Sequence, residues 1–276
     1  MFGRSGELGR VLQRTLSARH EVVPQASHFD VRHRETVFSA VRAANADVVV
    51  NAAAMSNVDR CEHDAEAFSV NALGPRWLAQ ACEASGTLLV QMSTDHVFSG
   101  EKGSPYHEWD AVGPIQDYGR SKLAGEREVR AHAPRHLIVR TSWLYGGSSS
   151  DFPQVVLGRA RRNMPQRVVD DHAGSPTCVD DLAEALLQLL EAGAMGTVHV
   201  ANPGTASPYA FAQEIVSSAG LKAPVRVQTG APLIGSAPRP KNSSLTSLVL
   251  PSYGVVMRPW REALRHYLHK VAAEGM

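Results

Sequence analysis

Tyr118 and Lys122 stand four residues apart in Tyr118-Gly119-Arg120-Ser121-Lys122. That spacing puts both on one face of a helix, one turn apart. A phenol with its ordinary pKa of about 10 is a poor proton shuttle at neutral pH, and a neighbouring ammonium favours the phenolate. Lowering the phenol by about three pH units takes roughly 4 kcal/mol of differential interaction. The pair therefore reads as acid/base machinery, although an ordinary surface helix pair has the same spacing. Upstream, Ser93-Thr94-Asp95 closes a short apolar run. Active sites of open α/β sheets lie at the C-terminal ends of their strands, where a hydroxyl orients a carbonyl while the tyrosine protonates it.

A second group of residues suits a dinucleotide. Gly3, Gly6 and Gly9 form GxxGxxG ahead of a helix-like stretch over 9–19. Glycines there let backbone amides approach a pyrophosphate, and the helix N-terminus adds partial positive charge. Gly3, Arg4 and Gly6 are candidate cofactor contacts, with Arg4 read either as a partner for a 2′-phosphate or as a solvated turn residue. Residues 26–30 follow the second strand candidate, and no carboxylate sits directly at the strand end. This favours NADPH, with NADH as the alternative. Asp30 reads as an acceptor for the adenine amino group or as a turn residue.

The elements that must position these residues alternate. Strand candidates cover 21–24, 47–51, 88–93 and 137–140, each brief and apolar, as strands buried on both faces should be. Helical spacing runs through 35–44, 65–84 and 118–131. The pattern predicts an α/β fold, a Rossmann-type doubly wound parallel sheet. Only Met1 and Phe2 precede the glycine turn, so the first strand is expected either to be curtailed at the N-terminus and to continue upstream, the favoured reading, or to be edited out of the sheet. From residue 151 the alternation loosens, with proline-rich joints at 203–208 and 232–240 and a helix-like end over 260–273. We therefore expect a dinucleotide-binding domain over 1–150 and a smaller substrate lobe over 151–276, some segments of which return to the core.

Composition sets bounds. The 276 residues carry 28 Lys+Arg against 27 Asp+Glu, a net charge of +1, so no global field attracts nucleic acid or an anionic membrane. The three cysteines, Cys61, Cys82 and Cys178, lack CxxC or CxxH spacing, against both a disulfide framework and a zinc site. No apolar run approaches the roughly 20 residues of a membrane span, and no leader pattern opens the chain. A cytoplasmic location follows as the expectation.

Taken together, the motifs resemble an extended short-chain dehydrogenase/reductase, and within that superfamily the dTDP-4-dehydrorhamnose reductases and their nucleotide-sugar 4-ketoreductase relatives. The resemblance rests on residues 3–9, 50–54, Asn71-Ala72, 93–100, Tyr118 to Lys122 with Gly125-Glu126, 140–146, and 171–182, read as DHAGSPTCVDDL. They run in family order over nearly the whole chain.

The resemblance implies a catalytic trio of Thr94, Tyr118 and Lys122, with Thr94 donating to a sugar ketone and Tyr118 delivering the proton. It implies that Lys122 also holds the nicotinamide ribose and that Ala52 and Ala53 line the cofactor. Substrate contacts are expected from Thr94, Asp95, His96, Trp143 and Arg239. Trp143 would stack on the nucleotide base, or pack in the core. Arg239 would bind the diphosphate through its planar fork, or be solvated. His96 stands where the family commonly has tyrosine, which leaves the identity of the sugar open. No essential metal is expected, for want of a compact carboxylate cluster. The implied reaction is reduction of a dTDP-4-dehydro-6-deoxyhexose, most directly dTDP-4-dehydrorhamnose to dTDP-L-rhamnose. Alternatives are a dihydrostreptose-type 4-ketoreductase and a non-catalytic subunit resembling the methionine adenosyltransferase partner. A homodimer is the expected assembly.

Overall fold

The computed structural model describes residues 1–23, 29–228 and 236–273. The first half runs α1 (Glu7–Leu16), α2 (Arg34–Ala44), β1 (Val48–Asn51), α3 (Val58–Cys61), α4 (Glu66–Phe68), α5 (Gly74–Ser85), β2 (Leu88–Thr94), α6 (Asp117–His132) and β3 (His136–Thr141). The second half adds β4 (Leu144–Tyr145), α7 (Phe152–Arg161), β5 (Gln166–Val168), β6 (Thr177–Cys178), α8 (Val179–Glu191), β7 (Gly196–His199), α9 (Pro208–Ser218), β8 (Val225–Val227) and α10 (Trp260–Ala273).

A parallel sheet ordered β1-β2-β3-β7 forms the centre. Its short apolar strands send alternate side chains to opposite faces. Val50, Val90, Met92, Leu137 and Val139 join Leu12 of α1 and Leu182 and Leu186 of α8. Val49, Leu89 and Ile138 face Val37 of α2, Leu78 and Cys82 of α5, and Val129 of α6. The sheet is therefore covered on both faces, as a doubly wound fold requires. Register aligns Asn51 with Gln91 and Thr94 with Thr141, which brings the C-terminal ends of β1, β2 and β3 to one edge.

At that edge Phe2 bridges in parallel to Asn51, its amide donating to Val50 O at 2.9 Å. The strand expected over 21–24 is not formed at residues 21–23, and Pro24 lies outside the described residues. The Met1 ammonium donates to the Val23 carbonyl instead, at 2.9 Å. Residues 26–28 and 232–235, on which other expectations fell, also lie outside the described residues.

The helix expected over 65–84 departs from regularity in its middle. Residues 69–73 form a π-helical turn between α4 and α5. Pro75 has no N–H to offer the Asn71 carbonyl, so the ladder opens there. The turn aims Asn71 inward: its Oδ1 accepts from Met55 N at 2.9 Å and its Nδ2 donates to Ser121 Oγ at 3.0 Å. The freed carbonyl lies against α6, where a Cβ on Gly125 would come within 2.1 Å of it.

Beyond residue 142 a second cluster forms around Tyr145, Leu157, Phe211, Ile215, Trp260 and Leu264. Two small parallel pairs, β4-β6 and β5-β8, belong to this part. The chain re-enters the main sheet between them, through α8 and β7.

Candidate active site

The glycine turn is built as the sequence demands. Gly3 has φ +76°, and a Cβ there would meet Ala53 N at 2.4 Å; a Cβ on Gly9 would meet Gly3 O at 2.1 Å. Neither position admits a side chain. The turn opens on a cavity of about 590 Å³ lined by Gly3, Arg4, Gly6, Asp30, Arg32, Ala52 and Ala53. Every candidate cofactor residue at this end therefore lines one space. Arg4 Nε is buried there without a partner. Asp30 is gripped by Arg32, which donates to its two carboxylate oxygens through Nε at 3.0 and 2.9 Å. That grip holds the Asp30 carboxyl below the usual range. Arg32 also reaches Glu66 at 2.5 Å.

At the end of β2, Thr94 is buried. Its hydroxyl donates to Asp95 Oδ1 at 3.0 Å and accepts from His96 N at 3.1 Å. Asp95 is 2% exposed, and its Oδ2 accepts from Ser142 Oγ at 2.9 Å and from Ser243 Oγ at 2.5 Å. The aspartate expected to touch substrate is thus a buried hub with its oxygens already engaged.

Tyr118 and Lys122 share the inward face of α6. Burial pushes the Tyr118 phenol up, against a hydrogen bond with Thr94 that pulls it down. Lys122 Nζ donates to the Met92 carbonyl at 2.6 Å, and burial draws its pKa down to about 8 against the pull of Glu126. Burial rather than the lysine governs the phenol. This corrects the lowered phenol expected from spacing alone. Beneath the pair, Glu126 receives Arg140 at 2.8 and 2.7 Å, Arg130 at 2.9 Å and Ser93 Oγ at 2.6 Å. The fully buried carboxylate is thus paired and hydrogen-bonded, which burial of a charge requires.

His96 lies edge-on to Tyr118, ring centroids 5.6 Å apart, and Arg239 and His172 are near enough to oppose its protonation. Arg239 itself pairs with Asp59 at 2.9 Å and donates to Ala237 O. Trp143 adopts φ +43° and lines a second cavity of about 490 Å³ with Tyr145, Phe152, Arg167, His172 and Phe211. It is half-buried and edge-on to His172, so His172 connects the tryptophan cavity to the Tyr118 site.

The family described as RmlD substrate binding domain matches residues 1–273. This chain belongs to that family. Over 274 residues it is 40% identical to the dTDP-4-dehydrorhamnose reductase of Mycobacterium tuberculosis (strain ATCC 25618 / H37Rv), covering 95% of this chain and 89% of that one. A dTDP-4-dehydrorhamnose reductase structure from Clostridium acetobutylicum aligns with TM-score 0.93 and 35% identity, covering 98% of both chains. Another, from Bacillus anthracis in complex with NADP, aligns with TM-score 0.92 and 33% identity over 98% of this chain and 97% of that one.

Within this RmlD-family site several residues carry weight that sequence reasoning did not assign. Asn51 accepts from Ala53 N at 3.1 Å and donates to Gln91 at 2.8 Å, shaping the turn that lines the cavity. A polar residue closing an apolar run was the available signal. Arg32 gave none beyond its charge, and Glu126 none beyond its place in the Gly125-Glu126 motif. Gln116 precedes α6 and caps it through Gly119 N at 2.6 Å, while its other end meets His96. Among the described residues no cluster of three His, Cys, Asp or Glu is placed to hold a metal ion, and no helix is long and apolar enough to cross a membrane.

Proposed function

We propose that this chain catalyses NADPH-dependent reduction of the 4-keto group of a dTDP-4-dehydro-6-deoxyhexose, with dTDP-4-dehydrorhamnose as substrate and dTDP-L-rhamnose as product. The observation that carries the reading is the meeting of Thr94 and Tyr118 at the C-terminal edge of the sheet whose first turn is the glycine cradle. The residues fit a dinucleotide: the cradle admits no Cβ, and Arg4 Nε is unpartnered beside a cavity of about 590 Å³. The NADP bound by the Bacillus anthracis relative supports the same choice.

Gly3, Arg4 and Gly6 hold the phosphates, Asp30 the adenine, and Ala52 and Ala53 leave room along the cavity wall. Lys122 holds the ribose hydroxyls. When bound, the reduced nicotinamide supplies the hydride. Tyr118 gives its phenolic proton to the ketone oxygen. Thr94, anchored on Asp95, stands beside the phenol oxygen and keeps it aimed. Trp143 takes the nucleotide base in its cavity, and Arg239, released from Asp59, takes the diphosphate.

A reducing cytosol suits the three free, buried thiols. A homodimer that covers the exposed Phe68 and Leu73 completes the reading; a concentration-independent monomer mass overturns that part. The central test is turnover: purified protein with dTDP-4-dehydrorhamnose should oxidise NADPH, with kcat/KM at least equal to that for NADH. Failure to oxidise either cofactor overturns the proposal.

A further inference from the structure

A histidine beside a substrate offers it a donor at one ring nitrogen, a donor at the other, or an imidazolium, and whatever bonds one nitrogen decides what the other presents. At His96 the deciding neighbour is Gln116, which is fully buried. Gly119 N–H donates to Gln116 Oε1 at 2.6 Å as the cap of α6, so the oxygen end of the amide is committed. The end that faces His96 Nδ1 is therefore Nε2. An amide NH₂ only donates. Nδ1 must accept and carries no proton, which leaves the ring proton on Nε2. That nitrogen has no hydrogen-bond partner among the described residues, on a half-buried ring set edge-on to Tyr118.

We propose that Gln116 is a positioning residue that locks His96 as the neutral Nε2–H tautomer, so that His96 presents the sugar pocket with an obligatory hydrogen-bond donor. The substrate selected is one that places a hydroxyl or carbonyl oxygen there as acceptor. Its identity as a nucleotide-linked sugar rests on the function proposed above; the lock does not. The charged and titratable groups around the ring are Asp95, which favours protonation, Arg239 and His172, which oppose it, and the Tyr118 phenol on α6. Burial opposes protonation more than any of these charges. An imidazolium would in addition set an Nδ1–H against the Gln116 NH₂.

The test reads the ring itself. With ¹⁵N-labelled histidine and a His96→Gln sample to assign the signals, the cofactor-free wild type should show a protonated Nε2, an unprotonated Nδ1, and no titration through the neutral range. An Nδ1–H tautomer, or a midpoint at histidine's ordinary value, overturns the proposal. Gln116→Glu is isosteric and keeps an oxygen for Gly119 N–H. Its carboxylate accepts from Nδ1, so the His96 midpoint should rise by about 1–3 pH units and a matching ionisation should enter the pH profile of kcat/KM. An unchanged His96 titration in a folded Gln116→Glu protein also overturns it. If the wild type does not turn over dTDP-4-dehydrorhamnose while the ring behaves as stated, the substrate reading falls and the lock stands.

Discussion

In the proposed reaction Tyr118 delivers the proton, and its neighbours set how readily it does so. The phenol is pushed up by burial, which suits a group that delivers a proton and does not rest as phenolate. Tyr118→Phe keeps the ring and removes the acid. Its kcat should fall by about 10²- to 10⁴-fold with cofactor affinity unchanged, as turnover assays and nucleotide titration will read. Lys122 answers differently because its pKa is about 8, well under its reference value of 10.5. Between those values the unfolded chain binds more protons than the folded one, so this group adds stability as pH rises through that window. The ammonium proposed to hold the ribose is lost over the same window. Cofactor affinity should therefore weaken above about pH 8, and Lys122→Met should bind weakly at every pH with that limb of the profile abolished. A limb that persists in Lys122→Met assigns it to another group.

Among the elements, α6 has the most exacting placement. It supplies Tyr118, Lys122, Gly125 and Glu126 along one side, and the π-helical turn at 69–73 docks on it with the Asn71 carbonyl aimed at Gly125. A methyl group at that glycine would lie 2.1 Å from a backbone oxygen, a contact that no side-chain rotation relieves. Gly125→Ala should cost about 1–3 kcal/mol or more in chemical denaturation, and should lower kcat through the displaced tyrosine. A Gly125→Ala protein of unchanged stability and rate would show that α6 has room to move. The π turn is held by the same contact, since Asn71 also reaches Ser121 on this helix.

Across the whole molecule, His199 ties the end of β7 to two loops. Its ring Nδ1 donates to the Tyr106 and Thr246 carbonyls at 3.1 and 3.0 Å, and its backbone amide donates to Glu108. Burial pushes its pKa down to about 4, against the pull of Glu108. From the ordinary 6.5 down to about 4, the unfolded chain takes the proton and the folded chain refuses it. Stability should fall across that window by roughly 3 kcal/mol. Glu108, which burial pushes up but the bonds from Ser247, His199 and Leu248 hold below its usual range, adds a further loss at lower pH. Denaturation midpoints from neutrality to about pH 4 should show the wild type losing more than His199→Gln. Parallel loss in both proteins would place the acid sensitivity elsewhere.

The sequence by itself determined the layout. Short apolar runs separated by helical spacing dictate a covered parallel sheet, because periodicity is a local property of the chain. The glycines of the first turn, the Thr94 strand end and the Tyr118–Lys122 pair were legible for the same reason. Tertiary structure alone decided what those groups do electrically. Asp95 is closed by Ser142 and Ser243, Lys122 by Met92, Asp30 by Arg32, and His96 by Gln116, whose side chain looks in sequence like any residue before a helix. Most of these partners lie twenty or more positions away, and desolvation depends on everything packed around a group. Spacing along the chain can nominate an acid or a ligand, but burial and the remote partner set its proton.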